Sequence, residues 1–357
     1  MVEIRNKFYR VLNQELPNLH GKSLYIWGGG AKAGIYVEGF KRHGLIDDIC
    51  GFVDNDKDKW GRTIQGIPII GPMQLPEDKN AFVFINTFHE KVNREIEKQL
   101  TEKNVEHCIL DKYFLCVNKE NVIKAFDLLN DDSKELYYAL SMSKLYGTEP
   151  DVDVTPDQYF PFYPFNAMSN ETFLDIGAYR GDTLEKYLTV KGADSFKKYI
   201  AFEPDRKNFD VLHKTVDMLV KNGLESSKFC LYNKAIGDKM KRESICIDNK
   251  GNGISSIISE DITGNGSCGC ELVSLDMFID EKVDFIKADI ESYEYKMILG
   301  AKKTIKNNTP MMAICIYHNI WDWFEIPLLI NEIEPKYNMA IRHHSRDLTE
   351  TVLYAWI

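Results

Sequence analysis

The chain has 357 residues, 44% of them hydrophobic and 27% charged, with a formal net charge of −10. That length exceeds a usual single domain, so two are expected, and the composition is that of a globular protein. The acidic balance argues against a nucleic-acid partner, which needs a basic footprint, and no apolar run reaches the roughly 20 residues of a membrane span. The opening residues, Met1-Val2-Glu3-Ile4-Arg5-Asn6-Lys7-Phe8, mix charge and apolar groups as an amphipathic helix does, unlike a secretory signal. Most of the eight cysteines fall inside apolar strand-like runs (Cys50, Cys108, Cys230, Cys246, Cys315), the pattern of small buried hydrophobes in a reducing cytoplasm. Cys268-Gly269-Cys270 has no second pair at metal spacing.

In chain order, residues 1 to 20 read as a short helix. Leu24-Tyr25-Ile26-Trp27 is then a buried strand, followed by a glycine turn and a helix to about His43. A second strand, Ile49 to Val53, ends in Asp54. Gly28-x-Gly30-x-x-Ala33, with Asp54 after the next strand, fits the dinucleotide pattern formally, although the acid comes later than usual. Strands at Ile67 to Ile70 and Ala81 to Ile85 follow, then a charged helix and Glu106 to Leu110. Residues 1–112 thus read as a small Rossmann-like domain. Gly51-Phe52-Val53-Asp54-Asn55-Asp56 and Ile64-Gln65-Gly66-Ile67-Pro68-Ile69-Ile70-Gly71 resemble the N-terminal nucleotide-sugar-binding domains of bacterial sugar acetyltransferases. A nucleotide or nucleotide-sugar at Gly28, Gly30, Ala33 and Asp54 is set against glycines kept for packing alone. Asp54-x-Asp56-x-Asp58 departs from a calcium loop at Lys59 and Gln65 and reads as a solvated acidic turn.

Residues 113–168 form a helical connector and an aromatic segment. The helical pattern runs from Lys112 to Met168 and includes Val122 to Leu129 and Ser133 to Leu145. Asp157-Gln158-Tyr159-Phe160-Pro161-Phe162-Tyr163-Pro164-Phe165 is too rich in proline for a helix and too aromatic for a loose linker. It is either stapled to the next domain or a lid over a ligand cleft, with Gln158 or Tyr159 touching ligand.

The second domain, 169–357, opens on the most informative stretch. The strand Phe173 to Ile176 enters a turn with Gly177 and Gly181, and a helix starts at Asp182-Thr183, whose oxygens can cap it. Such a turn lets backbone approach a ligand, and the helix end favours negative charge. The next strand, Tyr199 to Phe202, ends in Glu203, placed to accept ribose hydroxyls. Tyr179 and Asp182 spoil a dinucleotide fingerprint, while Gly177-x-x-x-Gly181 with Asp175 before it is the S-adenosylmethionine pattern. Phe229 to Tyr232 is a third strand, leading to Asn233-Lys234-Ala235 where an adenine would lie. Glu243 to Gly266, around Gly251-Asn252-Gly253, reads as a hairpin and loop. Val283 to Ala288 ends in Asp289-Ile290-Glu291, Met311 to Tyr317 ends in His318-Asn319, and Tyr337–Arg342 with Thr351–Ile357 forms a closing antiparallel pair.

From Gln158 to the C-terminus these motifs resemble the FkbM family of S-adenosylmethionine-dependent methyltransferases. The likeness rests on Asp175-Ile176-Gly177-Ala178-Tyr179-Arg180-Gly181-Asp182-Thr183 and Ile286-Lys287-Ala288-Asp289-Ile290-Glu291, with Leu299-Gly300-Ala301, Ile341 to Ser345 and Glu350 to Ala355. The family's glycine after the Asp-x-Glu motif is Ser292 here. The resemblance implies an α/β chain of two Rossmann-like domains, the second a seven-stranded class I methyltransferase sheet. It also implies O-methylation of a sugar, glycan or secondary-metabolite acceptor, as in polysaccharide biosynthesis. The cofactor residues so expected are Asp175, Gly177, Ala178, Gly181, Asp182, Thr183, Glu203, Pro204, Ala235 and Asp289, with Gln158 and Tyr159.

Methyl transfer to a hydroxyl requires in-line alignment and removal of a proton. Asp289 and His318, at neighbouring strand ends, are the base candidates, and a neutral imidazole at His318 suits the task. His343 and His344 are a further option. Asp289 with Asn319 is similar to the magnesium ligands of catechol-type methyltransferases, but one carboxylate and one amide are thin for a hard cation, so no metal is expected. The competing reading is a nucleotide- or nucleotide-sugar-binding regulator or scaffold with an inert methyltransferase-like domain. A homo-oligomer is left open.

Overall fold

Short apolar strands, many of them followed by a helix, build two large sheets and one small one. The computed structural model describes every residue except 30–32, 43, 77–79, 88, 168–169, 194, 248–255 and 260–266. The chain begins with α1 (Val2–Leu12), β1 (Ser23–Trp27), α2 (Ala33–Arg42), β2 (Ile49–Val53), β3 (Thr63–Ile64), β4 (Ile67–Ile70), β5 (Ala81–Ile85), α3 (Glu90–Glu102) and β6 (Glu106–Ile109). The strands lie in the order β3-β4-β2-β1-β5-β6. All ladders are parallel except the β3–β4 hairpin. Every residue of β5 is buried, as expected of a parallel strand covered on both faces. The first helix is shorter than its pattern: it stops at Leu12, once Phe8 and Leu12 have been buried.

Three helices follow, α4 (Leu110–Val117), α5 (Lys119–Leu128) and α6 (Asp131–Tyr146). The helical reading to Met168 is corrected here. Gly147 takes a left-handed φ of 61° and closes α6, and Met168 lies outside the described residues. Between α5 and α6, the Asn130 N–H donates to Met339 O at 2.8 Å, tying this connector to an edge strand of the second sheet.

The remaining elements are β7 (Glu171–Ile176), α7 (Asp182–Lys191), β8 (Phe196–Phe202), α8 (Arg206–Lys221), β9 (Phe229–Tyr232), β10 (Ala235–Ile236), β11 (Lys241–Ile247), β12 (Ser256–Ser259) and β13 (Ser267–Val273). They continue with α9 (Leu275–Phe278), β14 (Phe285–Ala288), α10 (Glu294–Leu299), α11 (Lys302–Asn308), β15 (Met311–Cys315), α12 (Asp322–Ile333), β16 (Asn338–His343) and β17 (Thr351–Trp356). Seven of these strands form one sheet in the order β16-β17-β15-β14-β7-β8-β9, with β17 antiparallel to both neighbours. That is the sheet implied by the resemblance. Strands β10-β13-β11-β12 make a small side sheet, and β11 and β12 are the expected hairpin. Part of that reading, including Gly251 to Gly253, lies outside the described residues. No described helix is long and apolar enough to cross a membrane.

Alternation along the central strands divides their side chains between two cores. Phe173, Tyr199, Phe285 and Tyr354 join Tyr159, Phe160 and Phe165, so the proline-rich aromatic segment is stapled to one sheet face. Leu174, Ile200, Ile286 and Ile314 face the other way, into a core continuous with Phe8, Phe40 and Phe114 of the first half. Trp321 links the halves. Its ring packs edge-on to Phe114, with centroids 4.9 Å apart, in space that exists because residue 39 is glycine. A methyl group on Gly39 would sit 1.9 Å from that ring.

Candidate functional site

The order of the second sheet reverses direction at β7, whose next strand in sequence, β8, lies on one side and β14 on the other. Ligands of open α/β sheets bind outside the strand tips at such a switch point. Here a cleft of about 480 Å³ opens across the tips of β7, β8 and β14. Gly177 sets its floor. It holds φ at 77°, and a side chain there would meet the Asp289 carbonyl oxygen at 1.9 Å, so only glycine lets the two tips close together. Beneath it, Lys287 donates to Gly177 O at 2.7 Å and pairs with the fully buried Asp175 at 3.1 Å. Burial alone would lower the Lys287 pKa, but Asp175, Asp289 and Asp182 around it raise it instead.

Gly177, Asp182, Thr183, Glu203, Pro204, Ala235, Asp289 and Tyr159 all line the cleft. Asp175, Ala178, Gly181 and Gln158 do not. Asp175 supports the floor, and Ala178 is buried with its N–H donated to Phe202 O at 3.0 Å. Gly181 is the N-cap of α7 at φ 94°, and a side chain there would point at Leu212 and Thr215. The expected capping by Asp182 and Thr183 is therefore corrected: they sit in the first helical turn, and no side chain caps it. The α7 N-terminus faces the cleft with its backbone donors uncapped by side chains.

Glu203 is 5% exposed and accepts N–H groups from Tyr179 at 2.9 Å and Asp205 at 2.8 Å. Burial pushes its carboxyl up to about 8, an effect the two N–H donors only partly offset. The group is poised toward donors that a ligand can bring.

At the other end of the cleft, Asp289 is held from several sides. Tyr159 Oη donates to its Oδ2 at 2.9 Å, and His318 Nε2 lies 3.3 Å from its Oδ1. Burial alone would raise the Asp289 pKa; His318, by contact and charge, and then Lys287 and Tyr159 hold it well below the usual carboxylate range. His318 itself is corrected from a neutral base on the cleft wall. It is fully buried behind Asp289, with Nδ1 2.9 Å from Glu294 and Nε2 3.7 Å from Glu291. Burial opposes its charge, but Glu294 and Glu291 and the contacts with Asp289 and Glu294 raise its pKa well above the ordinary value. Asp289, Glu294 and His318 are close enough together to hold a metal ion. Both ring nitrogens face carboxylates, however, which is the arrangement of a doubly paired imidazolium. Asn319 is engaged with Asp322. His343 pairs with Thr351, and His344 bridges Thr155 O and Tyr354, so both pack in the closing hairpin.

Residues outside the expected cofactor and base sets complete the wall. They include Tyr317, Asp347, Thr349 and Glu350. Tyr317 Oη lies 3.4 Å from Asp289 Oδ1 and 3.2 Å from Glu350 Oε1, while Gln158 donates to Glu350 Oε2. Backbone strain concentrates here. Of nine described non-glycine residues at positive φ, four (Tyr159, Tyr179, Glu291 and Glu350) line the cleft. Ser292 follows Glu291 at φ 76°, which explains in physical terms why the related motif carries glycine there.

In the first sheet, Gly28 follows β1, Ala33 opens α2 and Asp54 follows β2, while Gly30 lies outside the described residues. Asp54 accepts the Gly29 N–H at 3.1 Å, the Asp56 N–H at 2.9 Å and Lys59 Nζ at 2.7 Å. Its carboxylate organises its own turn.

A seven-stranded sheet of this order, with a cleft over its central tips, is a Rossmann-like methyltransferase fold. Residues 175–338 match the Methyltransferase FkbM domain. The whole chain is similar to the methyltransferase FkbM from Methylobacillus flagellatus KT, with a TM-score of 0.58 and 19% identity, covering 99% of this chain and 100% of that one. Looser likenesses include a putative rRNA-methylase from Clostridium thermocellum, with TM-score 0.37 and 10% identity over 57% of this chain and 95% of that one. Aeropyrum pernix fibrillarin in complex with S-adenosyl-L-methionine scores 0.32 at 8% identity, over 53% of this chain and 67% of that one. No curated protein matches.

Proposed function

We propose that the chain is an S-adenosylmethionine-dependent O-methyltransferase acting on a hydroxyl of a sugar, glycan or secondary-metabolite acceptor. The reading is carried by one observation: Glu203 and Asp289, from the tips of β8 and β14, face a single cleft on either side of Gly177. The cleft's volume is that of a small-molecule site. Glu203 fits the group, since a buried carboxyl short of donors is relieved by ribose hydroxyls. The α7 N-terminus suits a carboxylate, and Ala235 leaves room for a base. When bound, the cofactor supplies an electrophilic methyl group on a sulfonium.

The chain's own task is to hold an acceptor hydroxyl in line and accept its proton. Asp289, kept ionised by His318 and Tyr159, orients that hydroxyl and favours the nearby positive charge. His318 acts through Asp289 and is a positioning residue. The test is transfer of labelled methyl from S-adenosylmethionine to a panel of neutral methyl glycosides. Transfer to a glycoside hydroxyl is expected. A protein that binds neither donor nor S-adenosylhomocysteine would end the reading.

A further inference from the structure

Two carboxylates at the acceptor end of the cleft share one phenol. Tyr317 has a single hydroxyl proton, yet Glu350 Oε1 and Asp289 Oδ1 both lie within reach of its oxygen. Asp289 has its own donor in Tyr159 and a cation in His318, whereas Glu350 has Gln158 and the nearer share of Tyr317. Glu350 is also held at φ 57°, between the cleft-lining Thr349 and the first residue of β17, so the backbone strain fixes where its side chain starts.

We infer that Glu350 is the general base of the transfer, removing the acceptor proton while Asp289 orients the hydroxyl. This rests on the methyltransferase reading above. The acceptor O–H bond breaks as the O–C bond forms, the proton passes to the Glu350 carboxylate, and the C–S electron pair leaves with the donor sulfur. Glu350 later returns the proton to water. A base must gain affinity for a proton where its neighbour loses it, and the surroundings divide the pair in that sense. Burial and then the charge of Asp289 raise the Glu350 pKa, against the opposing effects of Gln158, Tyr317 and His318. Asp289 is held low by His318, Lys287 and Tyr159. The sequence reading places the base at His318 or Asp289, with His343 and His344 as a further option, and Glu350 enters it only as the first residue of the closing-strand motif.

The experiment uses the full chain with S-adenosylhomocysteine bound and with ¹³C-carboxyl-labelled glutamate. The Glu350 signal is assigned by its loss in Glu350→Gln. Glu350 should titrate above the ordinary glutamate range, and Asp289→Asn should lower its titration point by removing the neighbouring charge. In single turnover with neutral methyl glycosides, Glu350→Gln should slow transfer by about 10²-fold or more, with S-adenosylhomocysteine affinity unchanged and partial rescue in Glu350→Asp. Titration of Glu350 at or below the ordinary range, or full-speed transfer by Glu350→Gln, would overturn the assignment. If no glycoside is methylated, the titration decides alone. Failure of the wild-type chain to bind S-adenosylhomocysteine would instead remove the underlying reading.

Discussion

The two sheets solve the same local problem with opposite results. In each, an acid at the tip of the second strand accepts an N–H from the glycine turn after the first: Asp54 from Gly29, Glu203 from Tyr179. In the first sheet Lys59 reaches the same carboxylate, and Trp60 Nε1 donates to Asp54 O at 2.7 Å, so the turn closes on itself. In the second, Glu203 has two backbone donors and, among the described residues, no ion-paired cation, and it faces open space. A nucleotide-like motif therefore marks a backbone shape. Whether it is a site depends on what the acid has left to offer.

Breaking the ion pairs of each region should separate them most strongly. His318→Leu strands Asp289, Glu291 and Glu294 without their shared cation, and loss of one buried partner typically costs about 3–5 kcal/mol. Lys59→Met removes a partly exposed partner of Asp54 and should cost no more than about 1 kcal/mol. Denaturant unfolding of the two variants checks the contrast. The glycines come next. Gly177→Ala drives a methyl into the Asp289 carbonyl at positive φ and should cost about 1–3 kcal/mol. Gly29→Ala meets only the Ile69 side chain at 3.2 Å and Asp54 at 3.3 Å, and should be milder on the same measurement.

A pH series sharpens the comparison of the two acids. Folded, Glu203 keeps its proton to about 8, whereas the unfolded residue releases it near 4.5. The folded state thus binds more protons across that window, and the contribution of this group to stability falls as pH rises through it. Glu203→Gln removes the loss, so its Tm should exceed the wild-type value by more near pH 9 than near pH 5. The smallest effect is expected at Ser292, whose buried hydroxyl has no hydrogen-bond partner among the described residues and whose backbone is left-handed. Ser292→Gly should raise stability by up to about 1 kcal/mol, read from thermal unfolding.

Much of this was legible in the sequence because one end of the cleft is written in short motifs at successive strand tips. Gly177, Asp182, Thr183, Glu203 and Ala235 each follow a strand whose apolar run is plain, so their place at a strand tip follows from the run's length. The acceptor end is assembled from afar. Glu350 is 192 residues from Gln158 and 33 from Tyr317, and no spacing rule joins them. His318 was visible as a residue but not as a charge, because its state depends on Glu291 and Glu294, which close around it only once β14 and β15 pair. Gly181 was given a ligand-clearing role, although its open side faces α8. The helix read over Ser133 to Leu145 matches α6, and the wider helical pattern to Met168 missed the stop that Gly147 imposes with its left-handed φ.

The central claim is that the methyl-donor site lies in the second sheet and rests on Glu203. Calorimetric titration of S-adenosylhomocysteine into the wild type, Glu203→Gln and Asp54→Asn tests it directly. The account predicts one site per chain, an affinity at least about tenfold weaker in Glu203→Gln, equivalent to about 1.4 kcal/mol, and no change in Asp54→Asn. Equal binding by Glu203→Gln, or loss of binding in Asp54→Asn, would contradict it.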